Sequence, residues 1–521
     1  MRDKLWKKLT VLFLVVSLVI PALPAGAAQE DLKFYGKDGF ILTVEDGVTS
    51  ENLATNKLES LSFSLEYSED GDELEAEGVD EDDVIVTYKD RKVSNYAGNY
   101  TIDDIRFDKP GEVELDVDIE GKTGTEFEGL SDTITIQLNY FNFDVQGAKF
   151  YTEFLEDKAI TAFGDRIQLK FPKGSYITNT GQSTGPVAPN QEILFAVDEI
   201  KDSLNEDEND STYGYVFLTN SFEISHENDG ISAAQPSYPG YITIKYGYDD
   251  VLYKSGMISS EVAMYNVTVV KFDKAKDRWI PIGGIVDSKK QTIMAPFDKF
   301  GTYAVALNTK TFNDLKDWSK PYVMALAYKG IVEQAADRGD GRLKTDLTSE
   351  INRYDFTVML TKAMNWAPMS YNNYFDDVNP DTVTSEVYGS DTNFSNGDDY
   401  IMAAVVNGLL QGELNTSGEL EMKPDNYLTR EEAAVFATRA LKLKVATYDT
   451  KNMEKINKDL NKMFIDADTI SEWAKPYVQA VAKAKIMTGD EYGFRPHGEL
   501  LFNEACALIY NIMMRNDLFG K

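Results

Sequence analysis

The chain has 521 residues, of which 86 are acidic and 52 are basic, so its formal net charge at pH 7 is −34. This charge argues against a protein that tracks nucleic-acid phosphates, because a binder of that kind neutralises them with cationic side chains. With 43% hydrophobic and 12% aromatic residues the chain can build packed cores, and its length predicts roughly three or four domains.

The first residues have the order of a secretory signal peptide. Basic residues at 2–8 precede an apolar run at 9–20, and small residues follow at 24–28. We expect cleavage after Ala27, which makes residues 1–27 the leader. The apolar run is too short for a membrane span, which needs about 20 residues, so we expect a secreted protein without such a span. The single cysteine, Cys506, excludes an internal disulfide framework, and this favours a bacterial surface.

Residues 31–310 contain short alternating or β-branched runs separated by turn residues. Such runs predict antiparallel strands, and we place a boundary near residue 146 to give modules at 31–145 and 146–310. Both are expected to be immunoglobulin-like β-sandwiches. The first module holds 30 acidic and 9 basic side chains and carries most of the negative charge.

No constellation in this β region predicts catalysis, so we expect a protein that is not an enzyme and needs no cofactor. The chain has only two histidines, His226 and His497, too few for a histidine metal cluster. Carboxylate pairs remain compatible with a glycosidase dyad, although so acidic a chain contains pairs by chance. The acidic loops 68–83 and 205–211 could bind Ca²⁺ through clustered oxygens, or they could simply be solvated surface.

Three degenerate copies of one pattern occupy the last 210 or so residues. Tyr322, Tyr400 and Tyr477 are 78 and 77 residues apart, and each begins an alanine-rich helical stretch. An aromatic and acidic opening precedes each tyrosine, and the start of a second helix follows it. The repeats are assigned to residues 311–366, 375–441 and 464–521, with a linker at 442–463.

The second helices begin with an arginine that suggests an anion site. Thr429 and Glu432 have capping-box spacing, which makes Arg430 the first helical residue. A cation there opposes the helix dipole, so an arginine beside free backbone N–H groups predicts a site for an anion. Asn352 and Arg353 repeat the arrangement. The alternative is that each arginine pairs with a neighbouring acid.

These repeats resemble S-layer homology domains, through their Phe-x-Asp openings, the glycine after the first helix and the Thr-Arg-Glu-Glu start of the second. The resemblance implies an all-α, pseudo-threefold unit whose grooves bind secondary cell-wall polysaccharide, commonly through a pyruvylated sugar. The carbohydrate-binding residues that it implies are Asp314, Trp318, Gly330, Arg353, Asp377, Gly408, Thr429, Arg430, Glu431, Asp466 and Trp473.

Other roles remain open for part of this set. The three aspartates could cap turns instead of contacting sugar, and the two tryptophans could belong to the core. The second repeat, with Arg430, holds the best arginine site in sequence, and the first, with Arg353, is an Asn-capped variant. In the third repeat Phe502 and Asn503 stand where threonine and arginine are expected, so at most two grooves should be competent.

The whole chain is expected to be a multidomain protein: two all-β modules followed by the helical anchor, on a bacterial cell wall or S-layer. The expected function is that of a structural, S-layer-type surface protein, which could associate with itself in a lattice that needs divalent cations. The alternatives are an anchored adhesin or binding module and, less favoured, an anchored polysaccharide hydrolase.

Overall fold

The computed structural model describes residues 32–44, 57–69, 75–106, 113–138, 149–152, 159–163, 166–179, 193–198, 214–226, 234–246, 259–274, 277–312, 315, 318–332, 346–378 and 397–521. The chain forms two compact units. One covers residues up to Asn139, apart from the short segments Leu53–Lys57 and Arg106–Gly111, and the other covers those segments and Tyr140–Lys521. The predicted signal peptide and the loop 205–211 lie outside the described residues.

The first unit consists of two antiparallel sheets. Its strands are β1 (Leu32–Tyr35), β2 (Phe40–Val44), β3 (Lys57–Tyr67), β4 (Glu77–Gly78), β5 (Val84–Tyr88), β6 (Arg91–Lys92), β7 (Ser94–Tyr96), β8 (Asn99–Arg106), β9 (Val113–Gly121) and β10 (Ser131–Leu138). The sheet orders are β1-β2-β3-β8-β7, with β4 beside β3, and β10-β9-β5-β6. In β9 buried Leu115, Val117 and Ile119 alternate with exposed acids, which is the pattern of a sheet with one solvated face.

The β region of the second unit has two main sheets and one short helix. Its elements are β11 (Lys149–Thr152), β12 (Ile160–Ala162), β13 (Ile167–Lys170), β14 (Ile177–Asn179), β15 (Ile193–Asp198), β16 (Tyr215–Phe217), β17 (Ser221–His226), β18 (Ala234–Pro236), β19 (Gly240–Lys245), α1 (Ser260–Asn266), β20 (Val267–Asp273), β21 (Arg278–Gly283), β22 (Ile285–Asp287), β23 (Thr292–Phe297) and β24 (Gly301–Asn308). Helix α1 was not predicted.

The two main sheets of this region enclose one apolar core. Their orders are β11-β15-β17-β24-β20-β21, with β16 beside β24, and β12-β13-β19-β23-β22. Phe222 and Val305 of the first sheet belong to the same buried cluster as Ile244 and Phe297 of the second. The prediction of all-β modules before an α-helical region is therefore confirmed, and the immunoglobulin-like topology stays a prediction.

In the described part of the remaining chain, seven α-helices and two short strands follow. They are α2 (Lys320–Tyr328), α3 (Arg353–Ala363), α4 (Gly397–Val406), β25 (Glu413–Leu414), β26 (Leu420–Glu421), α5 (Arg430–Ala440), α6 (Thr450–Met463), α7 (Lys475–Lys483) and α8 (Phe502–Arg515). Each repeat supplies a first helix (α2, α4, α7) and a second helix (α3, α5, α8). Each second helix packs against the first helix of the next repeat around the circle: α3 against α4, α5 against α7, and α8 against α2.

A closed ring of backbone hydrogen bonds joins the three repeats. The Ile351 N–H donates to the Leu500 carbonyl (2.9 Å), the Leu500 N–H to Leu428 (2.8 Å), and the Leu428 N–H to Ile351 (2.9 Å). Each of these residues directly precedes the cap of a second helix. The repeats therefore start their second helices from a common centre, and each groove is built from neighbouring repeats.

The segment predicted as a linker, 442–463, contains helix α6. Its Met453, Ile456 and Leu460 are buried in the helical core. Residues spaced three and four apart share one face of a helix, and this explains why a segment without repeat similarity still packs. In the part of the chain that the structure describes, no helix combines the length and apolarity needed to cross a bilayer.

Candidate functional site

The start of helix α3 places Arg353 between two repeats. Asn352 caps the helix, because its side-chain oxygen accepts from the Asp355 N–H at 2.7 Å. The Arg353 Nε donates to the Met422 carbonyl (3.0 Å), and its Nη1 lies 2.7 Å from the Glu432 carboxylate. Its Nη2 has no acceptor among the described residues. One edge of this guanidinium is therefore held by protein, and the other is available to a ligand.

The start of helix α5 places Arg430 in the corresponding position of the next groove. Its Nε donates to the Phe494 carbonyl (2.8 Å), its Nη2 to the Thr488 carbonyl (3.2 Å), and its Nη1 lies 3.6 Å from Glu504. Burial lowers the pKa of the guanidinium, and the nearby Glu504 charge opposes that shift. All three nitrogens are engaged, so the structure reverses the order drawn from sequence: Arg353, and not Arg430, has the nitrogen free for a ligand.

The expectation of free N–H groups beside these arginines is wrong. Thr429 forms the predicted capping box with Glu432, which occupies the third N–H of α5. The Arg430 N–H donates to the Gly498 carbonyl (3.0 Å) and the Glu431 N–H to Pro496 (3.0 Å). The turn of the next repeat thus satisfies the helix terminus, so any anion here must be bound by side chains.

Both arginines also pair with an acid, as the alternative interpretation proposed. In each case the acid is the third residue of the next second helix: Glu432 for Arg353 and Glu504 for Arg430. The Glu432 carboxylate accepts from the Thr429 N–H and hydroxyl on its other oxygen. Arg353, the first residue of its helix, is therefore linked through Glu432 to the cap of the second helix in the next repeat.

Groove one is the cleft beside Arg353, with a volume of about 450 Å³. Its other lining residues include Gln411 and Gly412 after α4, Glu432 and Arg439 on α5, and Trp473 and Tyr477 at the start of α7. Arg439 donates to the Leu409 carbonyl (3.0 Å) and to the Gln411 side-chain oxygen (2.9 Å). The Trp473 side chain remains 50% exposed. Two guanidinium groups, an amide and an open indole thus face one cleft.

Groove two is the corresponding region beside Arg430, and its polar groups differ. Asn511 replaces Arg439 and donates to the Ile486 carbonyl (3.5 Å), the counterpart of Leu409. Arg495 makes ion pairs with Asp490 (3.1 Å) and Glu504 (3.3 Å). The cations of groove two are therefore paired within the protein.

The third repeat starts its second helix one residue earlier than predicted. The cap position belongs to Leu501, whose N–H donates to Glu504 (3.2 Å), so Phe502 corresponds to the arginines. Leu501 and Phe502 are the true counterparts of threonine and arginine, because the chain leaves the central ring at Leu500. The predicted loss of both the polar cap and the cation in this repeat holds.

The predicted aspartates Asp377 and Asp466 bind backbone. The Asp377 carboxylate accepts from the N–H groups of Met422 and Lys423 (2.8 and 2.7 Å). Asp466 accepts in the same way from Phe494 and Arg495, both at 2.7 Å. These bonds fix the turns whose carbonyls at Met422 and Phe494 hold the two arginines. The geometry matches the turn-capping alternative, and Asp314 lies outside the described residues.

The remaining predicted residues separate into different surroundings. Trp318 is 50% exposed at the start of α2. Glu431 is buried and accepts from the Ser471 hydroxyl and N–H, which anchors the segment before Trp473. Gly408 ends its helix with φ +75° in open space, whereas a Cβ on Gly330 would lie 2.1 Å from the Pro281 carbonyl oxygen of the β region. Gly330 therefore packs against β21 and not against a groove.

Arg439, Gln411 and Glu432 were not among the predicted binding residues. Arg439 lies near the end of a helix, 86 residues from Arg353, so no local motif connects the two. Only the packing of neighbouring repeats brings them together. Among the described residues no group of three or more histidine, cysteine, aspartate or glutamate side chains could hold a metal ion.

Comparisons with known proteins show which sequences this chain resembles. The family model of the S-layer homology domain matches residues 464–505. The chain is similar to an amylopullulanase of Thermoanaerobacterium thermosulfurigenes, with 29% identity over 48% of the chain and 12% of that protein. It is also similar to the exoglucanase XynX of Acetivibrio thermocellus, with 24% identity over 92% of the chain and 46% of that protein.

A third relative is the surface-layer 125 kDa protein of Lysinibacillus sphaericus, with 27% identity over 36% of the chain and 13% of that protein. The chain spans less than half the length of these curated relatives. The predicted S-layer homology resemblance is confirmed, and with it the location: this is a secreted, cell-wall-associated protein.

Proposed function

We propose that the chain is a structural, S-layer-type surface protein, held non-covalently on secondary cell-wall polysaccharide mainly through groove one. The observation that carries the proposal is the Nη2 of Arg353, which has no partner among the residues that the structure describes, beside Arg439 and the exposed Trp473. A carboxylate can accept two parallel hydrogen bonds from a guanidinium, and an aromatic ring offers an apolar surface to a sugar. A pyruvylated sugar combines both features.

The experiment is cosedimentation of the full chain with purified cell wall, before and after removal of the secondary polysaccharide. We expect binding to intact wall only. Trp473→Ala and Arg439→Gln should each weaken it about tenfold, since each removes one ligand-facing group. The matched control is Trp318→Ala, because Trp318 has the same exposure at the start of the first helix in another repeat.

Equal losses in Trp318→Ala and Trp473→Ala would contradict the assignment to groove one. Undiminished binding after replacement of both Arg353 and Arg430 would overturn the polysaccharide site itself. Wall in which the pyruvyl groups have been chemically removed tests the finer statement. We expect its binding to fall as far as that of the stripped wall.

The β modules are proposed to be immunoglobulin-like modules without catalytic activity that associate laterally on the surface. One supporting contact is the Tyr303 hydroxyl, which donates to the Lys299 carbonyl four residues upstream, as in the tyrosine corner of such sandwiches. Because the module at residues 31–145 is strongly acidic, lateral association should need divalent cations. Electron microscopy of intact cells with and without chelator tests this, and a coat that is indifferent to chelator contradicts it.

The second candidate is an anchored polysaccharide hydrolase, favoured by the similarity to proteins named amylopullulanase and exoglucanase. Their matched portions amount to 12% and 46% of those proteins, so the similarity is compatible with a shared wall anchor. Reducing-sugar release from starch, pullulan and cellulose by the full chain tests this candidate. Binding to such glycans without release would instead favour an anchored adhesin.

A further inference from the structure

Helix α6 carries a row of lysines on the side that faces away from the helical core. We call this row the lysine stripe and define it as Lys451, Lys455, Lys458 and Lys462. These lysines are four, three and four residues apart, so they lie on one face of the helix, and all of them are exposed. The buried Met453, Ile456 and Leu460 lie on the opposite face, because successive helical residues are about 100° apart.

No residue that the structure describes neutralises the lysine stripe, since none of its ammonium groups forms an ion pair with one. The helix also contains two acids. Asp459 already accepts hydrogen bonds from Lys483 (2.8 Å) and Gln479 (3.0 Å), and Glu454 is exposed. The outer surface of α6 is therefore cationic, in a chain whose net charge is −34. Such a surface suits an acidic partner, because opposite potentials favour encounter.

A complementary row of acids lies on the solvated face of strand β9. We call it the acidic row and define it as Glu114, Asp116, Asp118 and Glu120, all of them exposed. None of these carboxylates forms an ion pair with a residue in the described part of the chain. On the neighbouring strand β10, the Thr135 hydroxyl donates to Asp116 (2.7 Å). The Thr133 hydroxyl donates to Asp118 (2.6 Å). These bonds orient two carboxylates and leave their charge in place, because a hydroxyl is neutral.

The two rows have similar lengths. At about 1.5 Å per helical residue, the lysine stripe extends over about 17 Å from Lys451 to Lys462. At about 3.4 Å per strand residue, the acidic row extends over about 20 Å from Glu114 to Glu120. The charges are about 4.5–6 Å apart in the stripe and about 7 Å apart in the row. The flexible four-carbon stem of each lysine can take up this difference.

We propose that the lysine stripe of one copy docks on the acidic row of a second copy. A second copy is assigned as the occupant because the same chain supplies both rows, with opposite charge and similar length. Since the two surfaces differ, each copy can use its stripe on one neighbour and its row on another, and the contact can repeat from copy to copy. The proposal rests on the lateral association proposed above. It names a contact that needs no divalent cation.

The experiment is sedimentation velocity of the full chain over a range of protein concentrations, with chelator present. We expect self-association at about 0.01 M salt and its loss at about 1 M salt, because the Debye length falls from about 30 Å to about 3 Å. The reversed-stripe variant carries Lys451→Glu, Lys455→Glu, Lys458→Glu and Lys462→Glu. The reversed-row variant carries Glu114→Lys, Asp116→Lys, Asp118→Lys and Glu120→Lys. Each should raise the dissociation constant of self-association about tenfold or more, because like charges then face each other.

An equal mixture of the two variants provides the decisive measurement. In the mixture the glutamates of the reversed stripe can meet the lysines of the reversed row on another molecule, so we expect association to return. The matched control for charge compares Lys455→Glu with Lys458→Glu against Lys289→Glu with Lys290→Glu. Both pairs change the net charge equally, and the second pair is exposed on the turn before β23. Only the first pair should weaken self-association.

If the reversed-row variant fails to fold, Glu114→Lys with Glu120→Lys tests the same row and keeps both threonine bonds. Unchanged self-association in the reversed-stripe variant, or no association in the mixture, would overturn the proposal. Association that requires Ca²⁺ and is equal in both reversed variants would overturn this contact alone and leave the cation-dependent lateral association. No self-association under any of these conditions would overturn both. Weaker cosedimentation of the reversed-stripe variant with wall, with unchanged self-association, would overturn the proposal in favour of an anionic wall polymer.

Discussion

The first helices of repeats one and two end with the same pattern in opposite surroundings. In repeat one Lys329 and Gly330 are covered by the β region: the Lys329 ammonium donates to the carbonyls of Val267 (2.7 Å) and Gly284 (3.0 Å). In repeat two Asn407 and Gly408 take the same positions, and Gly408 has open space around it. Similar sequence therefore serves as a docking surface in one repeat and as the approach to groove one in the other.

A second comparison separates the two arginine grooves. Their frameworks agree, because each arginine is held by a carbonyl of an aspartate-fixed turn and by the capping glutamate of the next repeat. They differ in the groups that face outward, since groove one has Arg439 and an edge of Arg353 that no described residue contacts. The residues that hold the arginines are thus distinct from those that face a ligand. We expect substitutions of the first kind to change stability and substitutions of the second kind to change wall binding.

The largest expected effect belongs to Gly330→Ala. Its Cβ would meet the Pro281 oxygen at 2.1 Å, and its φ of +69° is unfavourable for alanine. We expect the free energy of unfolding to fall by about 3 kcal/mol or more. Gly408→Ala, with the same backbone strain and no clash, should cost only about 1 kcal/mol. Denaturant unfolding measures both, and equal losses would mean that the β region does not cover Gly330.

Lys329 should make the stability of the covered helix end depend on pH. Burial lowers its pKa from 10.5 to about 7 in the folded protein. Between pH 7 and the unfolded value the unfolded chain binds the extra proton, so stability rises with pH by up to about 1.4 kcal/mol per unit, and this slope vanishes below pH 7. Lys329→Met should lack this rise of stability with pH. Denaturant unfolding of both proteins at pH 7, 8 and 9 measures the difference. Parallel curves for wild type and variant would contradict the low pKa.

The aspartate that fixes the turn should contribute equally to the free energy of unfolding in both grooves. Asp377→Ala and Asp466→Ala each remove a carboxylate that accepts two backbone N–H groups, so we expect each to cost about 2 kcal/mol of stability. Their controls are the exposed neighbours Asp376→Ala and Asp468→Ala, which should change little. A variant that loses wall binding while keeping wild-type stability would instead favour direct sugar contact.

The smallest expected effect is on the free energy of wall binding, and it shows which of the two grooves binds the wall. Arg439→Asn gives groove one the residue of groove two and should weaken wall binding about tenfold, or about 1.4 kcal/mol. Asn511→Arg makes the reciprocal change, and we expect a gain of less than tenfold because Arg430 remains fully engaged. Cosedimentation with purified wall measures both. A larger effect at Asn511 than at Arg439 would assign binding to groove two.

Parts of the site were predictable because they depend on residues close in sequence. The capping box of Thr429 and Glu432 and the cap of Asn352 follow from spacing alone, and both are confirmed. The cap of the third repeat was misplaced by one residue, since neither Leu501 nor Phe502 resembles its counterparts and only the central ring fixes their register.

The sequence by itself determined the division into β modules and helical repeats, because alternation and helical periodicity follow from local backbone geometry. It also determined the wall-anchor class, since the repeated motif can be recognised from the order of residues along the chain. Only the tertiary structure decided which arginine keeps a free edge, which helix N–H groups are occupied, and which glycine is covered. Those outcomes depend on side chains and carbonyls from other repeats and from the β region, brought together by folding across tens of residues.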